Sequence, residues 1–208
     1  MLLAAALAVA LVQVLGRPLV RPLMPIFGAA VPLLDPRFEI TSVRLARIGA
    51  SEVVRFRGNL SRPLVIRGRV LEPFGWNGMP AGGIQCTYTV GGVLQYDALL
   101  LILVLAWPAS RLTELACRLG LALPCVLFLP VAIVPFTAVA EFRQGLASMV
   151  GPGAPGGWLI ASRYLMGGGG WVIALLTAVA CLEGARRLTR GRRQPAGRAD
   201  HPPICAEL

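Results

Sequence analysis

The chain of 208 residues lacks lysine altogether, so all twenty of its basic residues are arginine. Only ten acidic residues oppose them, which leaves a formal net charge of +10. The arginines are scattered through a hydrophobic sequence without the interleaved aromatic residues of a nucleic-acid-binding surface, so we expect no nucleic-acid partner. Arginine without lysine is typical of a GC-rich bacterial coding sequence.

Histidine is almost as scarce, since the chain has only His201, near its C-terminus. A Ser-His-Asp triad, a Cys-His pair or a His-rich metal site therefore cannot be assembled elsewhere in the chain. No phosphate-binding loop of the Walker A type is present. The five cysteines form no CxxC pair and are far apart: Cys86, Cys117, Cys125, Cys181 and Cys205. We expect neither a metal nor another cofactor.

Long hydrophobic segments, in contrast, are abundant. Of the residues 56% are hydrophobic and 14% charged, a composition typical of membrane proteins. Residues 93–109 and 119–140 are strongly apolar, and only the polar turn 110–118 separates them. The second segment has 22 residues without a charge, enough to cross a hydrocarbon core of about 30 Å. We predict a transmembrane hairpin over residues 91–140.

The N-terminal part, residues 1–36, is also apolar. Residues 2–16 have neither a basic region before them nor a cleavage site after them, which favours an uncleaved membrane anchor. Residues 17–36 contain five prolines: Pro18, Pro22, Pro25, Pro32 and Pro36. Because proline interrupts a regular helix, we predict an interfacial segment over residues 23–34. A kinked continuation of the first helix is the alternative.

Residues 37–90 have the pattern of a small antiparallel β-domain. Segments rich in β-branched residues, at 38–48, 53–58, 64–71 and 84–90, are separated by turn-like clusters at 49–51 and 59–63. In two of them arginines alternate with apolar residues, which gives a strand one polar face. The predicted arginine face consists of Arg55, Arg57, Arg67 and Arg69, with Arg44 and Arg47 as candidates beside them. It is either a solvated surface or a contact for partner carboxylates or lipid head groups.

Two further residues are candidates for a functional role. Cys86 is the single cysteine of the β-domain, and a buried strand thiol is the simpler interpretation, with a reactive thiol as the alternative. Asp97 follows Gln95 and Tyr96 in the first hairpin segment. It lies either at the membrane interface or, as a functional carboxylate, within the membrane. In the turn of the hairpin, we expect Glu114 to form helical ion pairs with Arg111 and Arg118.

After the hairpin, residues 141–170 are predicted to be an extracytoplasmic connection, 171–185 the last span and 186–208 a disordered basic tail. Arginines after the last span favour a cytoplasmic C-terminus. Four spans then place the N-terminus inside and the β-domain outside, although Arg17 and Arg21 oppose this orientation. Prolines in the second hairpin segment, Pro124, Pro130 and Pro135, favour packing against other spans. The sequence thus predicts an α+β protein of the bacterial inner membrane, with about four transmembrane helices and the β-domain inserted between the first and second.

The order of an anchor, a proline-rich stretch, a small β-domain and the segment LQYDALLLILVLAWP (residues 94–108) resembles the exosortase H-associated membrane protein family. The resemblance implies that the chain accompanies an exosortase, a multi-pass, cysteine transpeptidase-like enzyme that processes C-terminal sorting signals of exported bacterial proteins. The Cys, Arg and His pattern of the exosortase itself is not matched, so no catalytic residue is carried over. We therefore expect a non-catalytic accessory protein that contacts lipids and a multi-pass partner. The alternatives are a membrane enzyme using Cys86 or Asp97, and a subunit of an envelope polysaccharide or protein export complex.

Overall fold

The computed structural model describes residues 2–66, 68–71, 83–109, 112–151 and 156–191. These residues combine helices with a small antiparallel sheet, which confirms the predicted mixture of the two. The elements in chain order are α1 (Leu2–Leu34), β1 (Phe38–Ile48), β2 (Ser51–Leu60), β3 (Leu64–Ile66), β4 (Arg69–Leu71), β5 (Ile84–Thr89), α2 (Val90–Ala106), α3 (Leu112–Val150), α4 (Gly157–Tyr164) and α5 (Gly170–Gly191).

Two helical rods in the described part of the chain are long and apolar enough to cross a membrane. One is α3, with 39 residues, and the other runs from Gly157 to Thr189 through α4, a kink at Leu165–Gly169 and α5. Helix α2 is apolar but shorter, with 17 residues. Four spans therefore remain a prediction. Helix α5 extends beyond the predicted end of the last span at residue 185, and residues 192–208 of the predicted tail lie outside the described residues.

Helix α1 is continuous over 33 residues, so the predicted break into an anchor and an interfacial segment is wrong. Four of the prolines lie inside it, where each removes a backbone hydrogen bond. Burial outweighs this cost, because one stripe of the helix, at the three- and four-residue spacing of an amphipathic helix, packs against the sheet. The buried residues of this stripe are Val20, Leu23, Phe27 and Val31.

The main sheet has three antiparallel strands in the order β1-β2-β5. Strands β1 and β2 are joined by the two-residue turn Gly49-Ala50, because Ile48 pairs with Ser51. The predicted single strand at 64–71 is wrong: β3 and β4 form a separate two-stranded hairpin. The reason is Gly68, whose φ of 75° turns the chain back in a conformation that favours glycine.

The inner face of the sheet forms a core with α1, α3 and the start of α2. Phe56 is at its centre, with ring centroids 6.3 Å from Phe27 on α1 and 5.9 Å from Tyr88 on β5. At one end Phe38 packs against Phe142 of α3, with ring centroids 5.5 Å apart. Residues 141–150, predicted as part of a polar connection, are therefore helical and help to cover the sheet.

A second core joins α2, α3 and α5 through residues at helical spacing: Tyr96, Leu100, Val104, Ala122, Val126, Leu129, Ile133, Ala174, Ala178 and Cys181. The Tyr96 hydroxyl donates a hydrogen bond of 2.8 Å to the carbonyl of Leu165, the first residue of the kink between α4 and α5. Its ring approaches so closely that a Cβ atom on Gly170 would lie 2.5 Å from it. Pro130 and Pro135 are buried, as expected for packing against other helices, whereas Pro124 is exposed.

A buried arginine fixes the connection between α2 and α3. Arg118 pairs with Glu114 one turn earlier in α3, as predicted. It also donates hydrogen bonds to the carbonyls of Trp107 (2.8 Å) and Pro108 (3.1 Å), just after the last residue of α2. The polar turn predicted at 110–118 is therefore mostly the first two turns of α3, and Arg111 lies outside the described residues.

A second ion pair joins the end of α1 to α3. The Arg143 guanidinium donates to one oxygen of Asp35 from Nε (2.9 Å) and from Nη2 (2.6 Å), while Asp35 is almost fully buried. Arg143 also lies over the ring of Trp158 in α4, 4.9 Å from its centroid, and this ring stacks on Phe136 of α3. Three helices are thus held together at the position where the chain leaves α1 for the sheet.

We expect Arg118→Met to lower the free energy of unfolding by about 3 to 5 kcal/mol, because it removes the counter-charge of the buried Glu114 and the donors to the carbonyls of Trp107 and Pro108. The matched control is Arg187→Met, which breaks an Arg–Glu pair of the same i,i+4 spacing with Glu183. There the side chains are 80% and 50% exposed, so little stability is lost. Denaturant unfolding in mild detergent, followed by circular dichroism, measures both. Equal effects would show that the Arg118 contacts do not stabilise the fold.

Candidate functional site: an arginine face on the sheet

The face of the sheet turned away from the helices contains three arginines on adjacent strands. On β2, Phe56 is buried in the core, whereas Arg55 and Arg57 alternate with it on the opposite face. Arg55 pairs directly with Arg44 on β1, and Arg57 pairs with Ser42. We call this surface, formed by Arg44, Arg55 and Arg57, the arginine face.

A shallow groove of about 510 Å³ crosses the arginine face. Its lining consists of Thr41, Ser42, Arg44, Leu45, Ala46, Arg55, Arg57 and Asn59. A β-bulge at Thr41 shifts the register of β1, and the Thr41 hydroxyl donates to the Arg57 carbonyl at 3.1 Å. The Arg57 Nε donates to the Gln85 side-chain oxygen on β5 at 3.4 Å. Backbone pairing and these contacts hold the groove on rigid strands.

The charge of this face is unbalanced. Like charges directly opposite each other on neighbouring strands, with Cβ atoms about 5 Å apart, repel, and Arg44 and Arg55 stand in this relation. The Arg55 Nε is buried and has no hydrogen-bond partner among the described residues. Glu39, at the far end opposite Asn59, is the one carboxylate that the described strands place on this face. An incoming anion would relieve the repulsion, which makes the face suited to carboxylates or phosphates.

The structure brings together only part of the predicted arginine set. Arg55 and Arg57 share a face as predicted, and Arg44 joins them. Arg69 lies instead in the separate β3–β4 hairpin, and Arg67 lies outside the described residues. The expectation for Arg47 is wrong. Successive residues of β1 point to alternate faces, so Arg47, three positions after Arg44, lies on the other side of the sheet, where Glu52 is its partner in the strand register. The symmetric spacing of Arg44 and Arg55 about the turn is the signal that could have identified their pairing.

Cys86 lies on the inner face of β5, opposite Phe56, and is 6% exposed. The expectation of a buried strand thiol is confirmed. Burial raises the pKa of the Cys86 thiol above its ordinary value, and the negative charge of Glu141 raises this pKa further. A nucleophilic cysteine needs the opposite, a lowered pKa and access to substrate. The environment of Cys86 is that of a structural residue.

Asp97 is enclosed by protein, with 2% of the residue exposed. Neither of its carboxylate oxygens has a hydrogen-bond partner among the described residues. The neighbouring Tyr96 is also buried and bound to Leu165, so this part of α2 faces other helices rather than the protein surface. No group of three or more His, Cys, Asp or Glu side chains within the described ranges is placed to hold a metal ion.

Comparisons with protein-family models, with curated proteins and with solved structures gave no match. The resemblance to the exosortase H-associated family therefore remains a prediction from the layout of the chain.

We predict that Cys86 resists alkylation by iodoacetamide up to about pH 9, where an ordinary thiol with a pKa of about 8.5 is mostly ionised. The folded pKa lies above the unfolded one, so the stability that the protonated thiol contributes is complete below about pH 8.5 and is lost as pH rises. Peptide mass spectrometry measures the labelled fraction of Cys86 in the folded protein, and protein unfolded in a denaturing detergent is the control. Rapid labelling of the folded protein near pH 7 would instead indicate a reactive cysteine.

Proposed function

We propose that the protein is a non-catalytic membrane accessory protein whose arginine face binds an acidic segment of a partner. The observation that carries this proposal is the groove lined by Arg44, Arg55 and Arg57, whose charge no nearby acid in the described strands balances. Guanidinium groups bind carboxylates through two parallel hydrogen bonds. A row of three on adjacent strands suits a peptide with several acidic residues.

The helices supply the anchor in this proposal. The two long apolar rods cross the inner membrane, with α2 and the apolar start of α1 as the further predicted spans. Both termini are then cytoplasmic and the sheet is extracytoplasmic, in agreement with the arginines that follow the last span. The sheet is fixed to these helices through a common core, so the arginine face has a defined position above the membrane.

The resemblance of residues 94–108 and of the chain's layout extends the proposal to the partner. The partner is an exosortase-like multi-pass enzyme, or an exported protein carrying a sorting signal that such an enzyme processes. The protein would hold one of them near the membrane surface. It needs no reactive group for this role, which is consistent with the buried and protonated thiol of Cys86.

A membrane-embedded enzyme is the second candidate, and Asp97 is the observation that favours it. A carboxylate without a partner inside a helical bundle is costly, and such residues are often functional. Asp97→Asn keeps the shape of the side chain and removes its charge. Loss of biological activity with an intact fold would support an enzyme or proton-transfer role, whereas retained activity would support the accessory role.

The test of the accessory role is recovery of partners from native membranes. We expect Arg57→Gln to lower recovery of the co-purifying protein about tenfold, because losing one charge-assisted contact costs about 1.4 kcal/mol. Arg57 is exposed, so the fold should be unaffected. Tagged protein is purified in mild detergent, and the proteins recovered with it are quantified by mass spectrometry.

The matched control is Arg163→Gln, an identical charge change at an exposed position of α4 outside the groove. It should keep full recovery, as should Cys86→Ala. If the protein is recovered alone, or if Arg57→Gln and Arg163→Gln behave alike, the accessory proposal is wrong.

A further inference from the structure

A second group of arginines lines a cleft between α1 and β1. The cleft has a volume of about 690 Å³. Helix α1 contributes Arg17, Pro18, Arg21 and Met24 to its walls, and β1 contributes Val43, Arg44 and Leu45. Three guanidinium groups from two different elements thus border a single space.

Only one of these three charges is balanced by an acid. Arg17 forms an ion pair of 2.5 Å with Glu52 at the start of β2. Arg21 and Arg44 are exposed, and neither has an acidic partner in the described part of the chain. Arg21 lines the α1 wall of the cleft and Arg44 the β1 wall, so the cleft presents both guanidinium groups to a bound anion. A phosphate has enough oxygens to accept hydrogen bonds from two guanidinium groups at once.

The remainder of the lining is apolar. Pro18, Met24, Val43 and Leu45 form a surface that a soluble anion such as inorganic phosphate would not use. A phospholipid has both parts of the required chemistry, since its phosphate carries the charge and its glycerol and acyl groups are apolar. The lining therefore favours a lipid over a small polar anion.

The position of the cleft along α1 agrees with a lipid. The apolar run of residues 2–16 ends at Gly16, which packs against Val90 and Leu94 at the start of α2. Arg17 is the next residue, and from Val20 onward the helix is buried against the sheet. In the proposed membrane placement, the cleft is therefore at the level of the lipid head groups.

We propose that this cleft binds the phosphate of an anionic phospholipid between Arg21 and Arg44. The proposal rests on the membrane placement given under the proposed function, but not on the partner. It also accounts for Arg17 and Arg21, which oppose the predicted orientation: one is neutralised by Glu52 and the other contacts a lipid phosphate. The lipid would then fix the height of the sheet above the membrane.

The experiment titrates phosphatidylglycerol onto the full-length protein in detergent and measures bound lipid by native mass spectrometry. Arg21→Gln and Arg44→Gln, one on each wall, should each weaken binding about five- to tenfold, because each removes one guanidinium–phosphate contact. Arg163→Gln, outside the cleft, should change the affinity by less than about twofold. Phosphatidylcholine carries the same phosphate beside a quaternary ammonium that cancels its charge. It should bind more weakly to the unsubstituted protein and should lose less affinity in the two cleft variants.

Further arms separate the possible failures. Inorganic phosphate at the same concentration as the phosphatidylglycerol should not displace the bound lipid. If phosphate competes as well as the lipid itself, the cleft is a site for free phosphate and the lipid assignment is overturned. If Arg21→Gln and Arg163→Gln bind phosphatidylglycerol with equal affinity, the proposal that the cleft is the lipid site is overturned. Both cleft arginines are exposed, so each variant should keep the unfolding temperature; if one does not, the variant on the other wall decides. Arg57→Gln should retain lipid binding, so failure of the partner proposal and failure of the lipid proposal are distinguishable.

Discussion

The structure depends on covering one apolar sheet face. A sheet that is hydrophobic on one face has to bury that face against another element. Helices α1 and α3 provide it, and both extend beyond it: 33 and 39 residues correspond to about 50 and 58 Å at 1.5 Å per residue. This exceeds the roughly 30 Å of a hydrocarbon core. The same helices thus belong to the sheet core at one end and to the helical bundle at the other, so the sheet and the bundle are joined by shared helices.

Two arginines with buried contacts limit how these long helices can be arranged. Burying an ion pair gains little net stability, because desolvation offsets the attraction, but removing one partner is costly. Arg118 therefore penalises any arrangement in which the end of α2 leaves the start of α3. Arg143 does the same near the other end of α3, through Asp35 after α1 and Trp158 in α4. Apolar packing alone would tolerate sliding of α3 against its neighbours, whereas these directional contacts select one position.

Elements whose signal is local could be predicted from the sequence. Predictions were wrong or missing where contacts between distant residues determine the structure. Alternation over residues 53–58 revealed the outer positions of Arg55 and Arg57, and the turn cluster at 49–51 revealed the hairpin. The prolines of α1 indicate breaks when the sequence is considered alone, because the stripe from Val20 to Val31 that compensates for them packs on a sheet formed by later residues. The Asp35–Arg143 pair spans 108 positions, and no periodicity connects such residues. Placing Arg44 on the arginine face requires the exact length of the turn between β1 and β2, since a one-residue change in register would move Arg44 to the other side of the sheet.

Arg44 connects the two proposed sites, because it lines both the groove and the cleft. Its single guanidinium can contact a lipid phosphate on one side or a partner carboxylate on the other. If both ligands need it, each weakens the binding of the other by the same factor, as linkage requires. If the lipid instead holds Arg44 and leaves Arg55 and Arg57 to the partner, the lipid removes the repulsion between Arg44 and Arg55 and the effect on the partner is smaller. Residues that belong to one site alone, Arg21 for the cleft and Arg57 for the groove, are therefore the ones that separate the two functions, whereas a change at Arg44 reports on both.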